Sequence, residues 1–131
     1  EEANTANIFL FNTLFNFMTY IPVLEEKERE RMIAEAKTWR AWHHMRLLMY
    51  YGYHDGIPIV DKSLNGTEIY KGRNSVDEVL DFINKDLDEV IAITDKDVFP
   101  WVFDDSRRSR MCRSYALMLK IDANPDQKSL I

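Results

Sequence analysis

The chain has 131 residues, 46% of them hydrophobic and 30% charged, the size and composition of one globular domain. A net charge of -5 and a pI near 5.2 argue against a nucleic-acid backbone as main partner, because such binders carry a basic surplus or stripe. Cys112 is the single cysteine, so no intrachain disulfide forms and the fold rests on packing; no apolar run approaches the roughly 20 residues that span a bilayer.

From Asn4 to Tyr20 the apolar residues Ile8, Phe9, Leu10, Phe11, Leu14, Phe15, Phe17 and Met18 fall on nearly every side of a helical wheel. This predicts a central helix covered on most faces, capped by Asn4 or Thr5 and ended by Pro22. Glu25 to Arg31 mixes both charge signs at helical spacing and reads as the solvated first turns of the next helix, with acids at the positive end of its dipole. That helix continues from Met32 to Tyr51 without Gly or Pro, and Ala34, Ala36 and Ala41 allow close approach of another helix. Gly52 supplies the stop. Tyr53-His54-Asp55-Gly56 then forms a turn, and Ile57-Pro58-Ile59-Val60 is extended, since the residue before proline is pushed out of the helical region.

Lys62 to Asn74 carries two glycines and reads as a surface loop that includes the glycosylation pattern Asn65-Gly66-Thr67. From Ser75 to about Ile93, Val76, Val79, Leu80, Ile83, Leu87, Val90 and Ile91 form one apolar stripe, opened by the capping box Ser75-x-x-Glu78. Asp77, Asp81, Lys85, Asp86, Asp88 and Glu89 fall on the opposite, solvated face. Thr94 to Arg108 is a loop with an aromatic core, Val98-Phe99-Pro100-Trp101-Val102-Phe103, which either docks on the helices or forms a platform. Arg107, Arg108, Arg110 and Arg113 beside Asp104-Asp105 read as a helix start with local ion pairs. The last helix is placed from Ser109 to about Ile121, with Cys112 as a small buried hydrophobe, and the polar end to Ile131 as frayed. The chain is therefore all-α, a single helical region over 1–131 built of antiparallel helix pairs of the tetratricopeptide-like, α-solenoid kind.

The chemistry-bearing patterns are few. There is no Gly-rich phosphate loop, GxSxG elbow, HExxH or Cys pair, which argues against an enzyme and gives no cofactor or metal site. His43 and His44 point about 100° apart on a helix and cannot chelate one ion together. They read as packing or helix-surface residues, and Glu35 and Arg40 as structural polar groups between packed helices. Trp39, Trp42, Tyr50, Tyr51, Tyr53, Trp101 and Phe103 are more suggestive, because flat sugar faces stack on aromatic rings while neighbouring Asp, Asn or His groups bond hydroxyls. Trp39 and Trp42, three apart on a helix, fit a core role. Tyr53, His54, Asp55 and Trp101 lie on predicted loops and are the candidate ligand contacts.

Glu35-Ala36-x-x-x-Arg40-Ala41, Leu47-Leu48-x-x-Tyr51-Gly52 and Gly56-Ile57-Pro58-Ile59-Val60, followed by the Arg73 to Glu89 helix with its Asp86-Leu87-Asp88-Glu89 end, resemble the signature of SusD-like outer-membrane lipoproteins. Ala6-Asn7-Ile8-Phe9-Leu10 is similar to the upstream helix of that family. The resemblance makes Glu35, Arg40, Gly52 and Pro58 structural signature residues and this chain an internal fragment of a larger SusD-like domain. It implies a non-catalytic, surface-exposed, lipid-anchored protein of the outer membrane that binds an oligosaccharide or other nutrient and serves a TonB-dependent transporter. Known members build the ligand site largely from loops outside the matched segment, so sugar contacts do not transfer by position. The alternative reading is a free-standing helical protein-protein interaction module with tetratricopeptide-like packing.

Overall fold

A computed structural model describes residues 2–18, 26–62, 72–102 and 110–124. Among them four helices follow one another and no strand occurs: α1 (Glu2–Met18), α2 (Glu26–Tyr51), α3 (Val76–Ile91) and α4 (Arg113–Ala123). α2 packs against α1 on one side and α3 on another, and α4 packs on α3. The α2–α3 pair is antiparallel, because Lys37 meets Glu89, Arg40 meets Asp86 and His44 meets Phe82 in descending order. Among the described residues no helix is long and apolar enough to cross a membrane.

α3 follows its apolar stripe closely. Val79, Ile83, Leu87 and Val90 are buried, while Val76, Leu80 and Ile91 pack at the edge of the core. Its start is held by a cap in which Ser75 Oγ accepts the Glu78 N–H at 3.2 Å and donates to Glu78 Oε1 at 3.1 Å. Glu78 also accepts from Asn74 Nδ2, and these hydrogen bonds hold its carboxyl below the ordinary value. Asp86 departs from the solvated face expected for it and is 3% exposed. It stands three residues after Ile83 and four before Val90, beside the stripe, where Arg40 from α2 reaches it.

α1 begins at Glu2, so Asn4 and Thr5 lie inside the helix rather than at its cap; Pro22 lies outside the described residues. Nor is α1 central. Ile8 and Asn12 are buried toward α2 and the extended strip, whereas Phe9 and Leu10 on the far side are exposed. The wheel showed apolar residues all round, but only one side meets another described element.

The aromatic loop divides. A turn in which Val98 and Phe99 N–H groups bond the Asp95 carbonyl drives both side chains into the core, while Trp101 and Val102 remain exposed. Arg31 secures this turn by donating to the Asp97 and Val98 carbonyls. α4 starts at Arg113, later than its apolar pattern implied, because residues 110–112 are not helical. Met111 and Cys112 are buried there nonetheless, with Arg113 N–H bonded to the Pro100 carbonyl. α4 ends at Asn124, whose amide exchanges two hydrogen bonds with Asn84 of α3 at 3.0 and 2.7 Å. The glycosylation pattern, Phe103, Arg107, Arg108 and the polar C-terminus lie outside the described residues.

Candidate functional site

Against the middle of α2 lies a buried polar knot. Arg40 donates from Nε and Nη2 to the two carboxylate oxygens of Asp86, and from Nη1 to Asn12 Oδ1 of α1 at 3.0 Å. Asn12 in turn donates to the Val60 carbonyl at 3.0 Å, which ties the extended strip to α1. His44 closes the other side: Nδ1 lies 2.9 Å from the Arg40 carbonyl, and Nε2 accepts the Val60 N–H at 3.3 Å. This assignment puts the proton on Nδ1 and keeps the ring neutral. Burial lowers His44 to about 4, and burial with the nearby Arg46 charge lowers His43 to about 4. Both histidines are packing residues and neither lies on the surface. For Asp86, burial pushes the carboxyl above its ordinary value against the pull of Arg40.

Glu35 belongs to a second pair, with Arg110 Nε at 2.9 Å, half-buried at the base of α2. Together Glu35 and Arg40 fasten α2 to α1, to α3 and to the segment before α4.

The turn after α2 is set by two glycines. Gly56 takes φ 78°, and a Cβ there would stand 1.8 Å from the Asn74 carbonyl oxygen, so only glycine fits. Gly56 N–H closes the turn on the Gly52 carbonyl at 2.8 Å. A Cβ on Gly52 would meet Ile57 at 2.5 Å and the Gly56 carbonyl at 2.6 Å, so the helix stop is also the place where the strip folds back. Ile57 and Ile59 are then held by Asn74, through its backbone N–H and its side-chain Oδ1. Pro58 lines a groove of about 220 Å³ with Ile8, Leu47 and Tyr51, and Arg73 stands at its edge.

On this fixed base the turn displays its side chains outward. Tyr53 is 73% exposed, its ring 4.8 Å from that of His54 in edge-to-face contact. Asp55 lies 4.0 Å from Arg73, both solvated. Tyr50 and Tyr51 are exposed immediately before them. Trp101 is also exposed, with the Arg113 guanidinium over its ring at 5.4 Å. It stands elsewhere, however: its loop is anchored by Arg31 near the start of α2, whereas Tyr53, His54 and Asp55 follow the helix end. About 30 Å of helix separates the two, at 1.5 Å per residue. The structure therefore brings Tyr53, His54 and Asp55 together and leaves Trp101 apart.

Trp39 and Trp42 are half-buried, edge to face at 5.6 Å, and pack against the core from its rim. Sequence reasoning passed over Arg46, whose guanidinium lies between the Trp42 and Tyr50 rings. The signal was present in the four-residue spacing of 42, 46 and 50.

Residues 6–104 match the SusD-like family described as starch-binding and associating with the outer membrane. Among curated proteins none matches. Solved structures share the fold: a SusD-like protein from Bacteroides fragilis (TM-score 0.79, 23% identity) covers 94% of this chain, which spans 22% of it. A laminarin-binding SusD-like protein (0.77, 23%) covers 92% against 24% of its own length, and surface glycan-binding protein A from Bacteroides fluxus (0.77, 23%) covers 95% against 25%. This chain thus spans about a quarter of the length of the structures it matches. With a matched segment that takes in α2, its glycine turn and α3, the chain belongs to the SusD-like family.

Proposed function

We infer that this chain takes part in non-catalytic carbohydrate capture, through the rings exposed at the end of α2. The observation that carries the reading is the run Tyr50, Tyr51 and Tyr53, exposed by 64%, 53% and 73%, on a base immobilised by Gly52, Gly56 and the Arg40 knot. Rings of this kind stack on the apolar faces of sugars, while His54 and Asp55 supply hydrogen-bonding groups beside them. Family membership and the carbohydrate ligands named for two of the structural relatives support it. The whole protein, in this reading, works at the outer membrane, held there by a lipid anchor, and hands an oligosaccharide to a TonB-dependent transporter. Affinity electrophoresis of the chain through gels containing neutral polysaccharides tests it: retardation by at least one of them is the expected result, and unretarded migration through all of them contradicts it.

A second reading, protein contact, is favoured by the exposed Phe9 and Leu10 on α1 and Met118 and Ile121 on α4. It concerns other faces of the molecule and is compatible with sugar binding at the end of α2.

A further inference from the structure

Two arginines of α2 are stacked between rings, and they differ in what their edges meet. Arg40 lies between Phe15 at 4.8 Å and Phe82 at 5.1 Å, with its N–H edge taken up by Asp86, Asn12 and the Asp61 carbonyl. Arg46 lies between Trp42 at 4.7 Å and Tyr50 at 5.2 Å, on the side of the helix where Met49 and Tyr50 are exposed. Among the described residues no carboxylate or carbonyl oxygen meets its edge. A guanidinium clamped on both faces keeps little rotamer freedom, and its in-plane donors match two oxygens of a single oxyanion.

Charge along the helix points the same way. The chain as a whole carries -5, yet from Ala36 to His54 it holds Lys37, Arg40, Arg46 and all three histidines, with no Asp or Glu. The nearest acid before this stretch, Glu35, is already paired with Arg110. An anion approaching Arg46 therefore meets no carboxylate of α2 itself, in a protein that otherwise repels it.

The geometry points to an oxyanion-binding site on Arg46, flanked by Trp42 and Tyr50, that takes an acidic sugar chain bearing carboxylate or sulfate groups. This rests on the carbohydrate reading and deepens it: the rings hold sugar faces and Arg46 holds the charged substituent. Trp42 to Tyr50 spans about 12 Å of helix, so the surface suits an extended chain more than a single ring.

The test uses the chain as it is, titrated calorimetrically at low salt with three oligosaccharides of matched length: neutral glucan, oligogalacturonate and a sulfated galactan. At least tenfold tighter binding of one or both acidic oligosaccharides than of the neutral one is expected, weakening as salt rises. The two acidic arms identify carboxylate or sulfate as the recognised group. Arg46→Gln should abolish the preference, read as the ratio of acidic to neutral affinity, while Arg46→Lys should keep part of it. Circular dichroism confirms that both variants fold. Equal binding of neutral and acidic chains, or a preference that survives Arg46→Gln, overturns the inference and leaves the carbohydrate reading standing. Binding of polyglutamate or single-stranded DNA with no binding of any sugar overturns both, as does an absence of binding throughout.

Discussion

The Arg40 guanidinium of α2 grips both carboxylate oxygens of Asp86 in α3, at 2.8 and 2.7 Å, with the two side chains only 9% and 4% exposed. Because Arg40 also reaches Asn12, and Asn12 the Val60 carbonyl, one buried cation joins α1, α2, α3 and the extended strip. These contacts hold the middle of α2, and the glycine turn fixes its end, where the exposed tyrosines stand. Removal of one partner leaves a desolvated charge with nothing to meet it, and this, more than the lost attraction, sets the cost.

Asp86→Ala is predicted to lower stability by about 3–5 kcal/mol, read from urea unfolding. Replacing both Arg40 and Asp86 with leucine should recover part of that loss, since no unpaired charge remains. A single-variant loss below about 1 kcal/mol would show the pair to behave as a solvated surface bridge.

Acid should weaken the fold before ordinary carboxylates titrate. His44 keeps its proton off until about 4 when folded, against 6.5 as its ordinary value. Between these limits the unfolded chain binds more protons than the folded one, so stability present above 6.5 is lost as pH falls toward 4. The shift corresponds to on the order of 3 kcal/mol for His44, with a smaller share from His43 because its ring is less enclosed. Asp86, whose carboxyl is raised in the fold, binds its proton more readily when folded and opposes the loss at the acid end of this range. Urea midpoints from pH 7 to 4.5 check the sign, and His44→Gln should flatten the slope. A midpoint that rises on acidification would contradict the neutral assignment.

The two ends of the loop after α2 make a paired glycine test. Gly56→Ala forces a methyl group against the Asn74 carbonyl at positive φ and should cost about 3 kcal/mol. Gly72→Ala has nothing within 4 Å of the new carbon and should be neutral or stabilising by a few tenths to about 1 kcal/mol. Thermal melts of the two variants separate these outcomes, and similar melts would deny the special geometry at Gly56.

The separation of Trp101 from Tyr53 predicts unequal effects on sugar binding. Tyr53→Ala should weaken a bound oligosaccharide roughly tenfold or more. Trp101→Ala, some 30 Å of helix away, should change it by less than about twofold. Equal losses in calorimetric titrations would mean that one ligand reaches both ends.

Much of this architecture was legible in the residues. The α3 stripe, its Ser75 cap, the uninterrupted α2 and the glycine turn depend on local spacing and backbone geometry, which a sequence displays directly. The resemblance carried by Glu35, Arg40, Gly52 and Pro58 led to the family, and the structure gives those positions physical roles in ion pairs, turn closure and groove lining. What was hidden depends on partners distant in sequence. Asp86 looked solvated because its carboxylate is charged, and only Arg40, 46 residues away, makes its burial tolerable. The exposure of Phe9 and Leu10 is equally non-local, since α1 has the composition of a covered helix and meets its neighbours on one side. At the candidate site, exposed aromatics on a turn could be anticipated; the clamp on Arg46 followed helical spacing but gained meaning only from the absence of an acid beside it.

The most direct test of the central reading is chemical-shift mapping of the isotopically labelled chain during titration with the oligosaccharide that retards it most. The account predicts saturable shifts concentrated at Tyr50, Tyr51, Tyr53 and His54, with Trp101 unmoved. Saturation of the ligand with those four residues unchanged would contradict it.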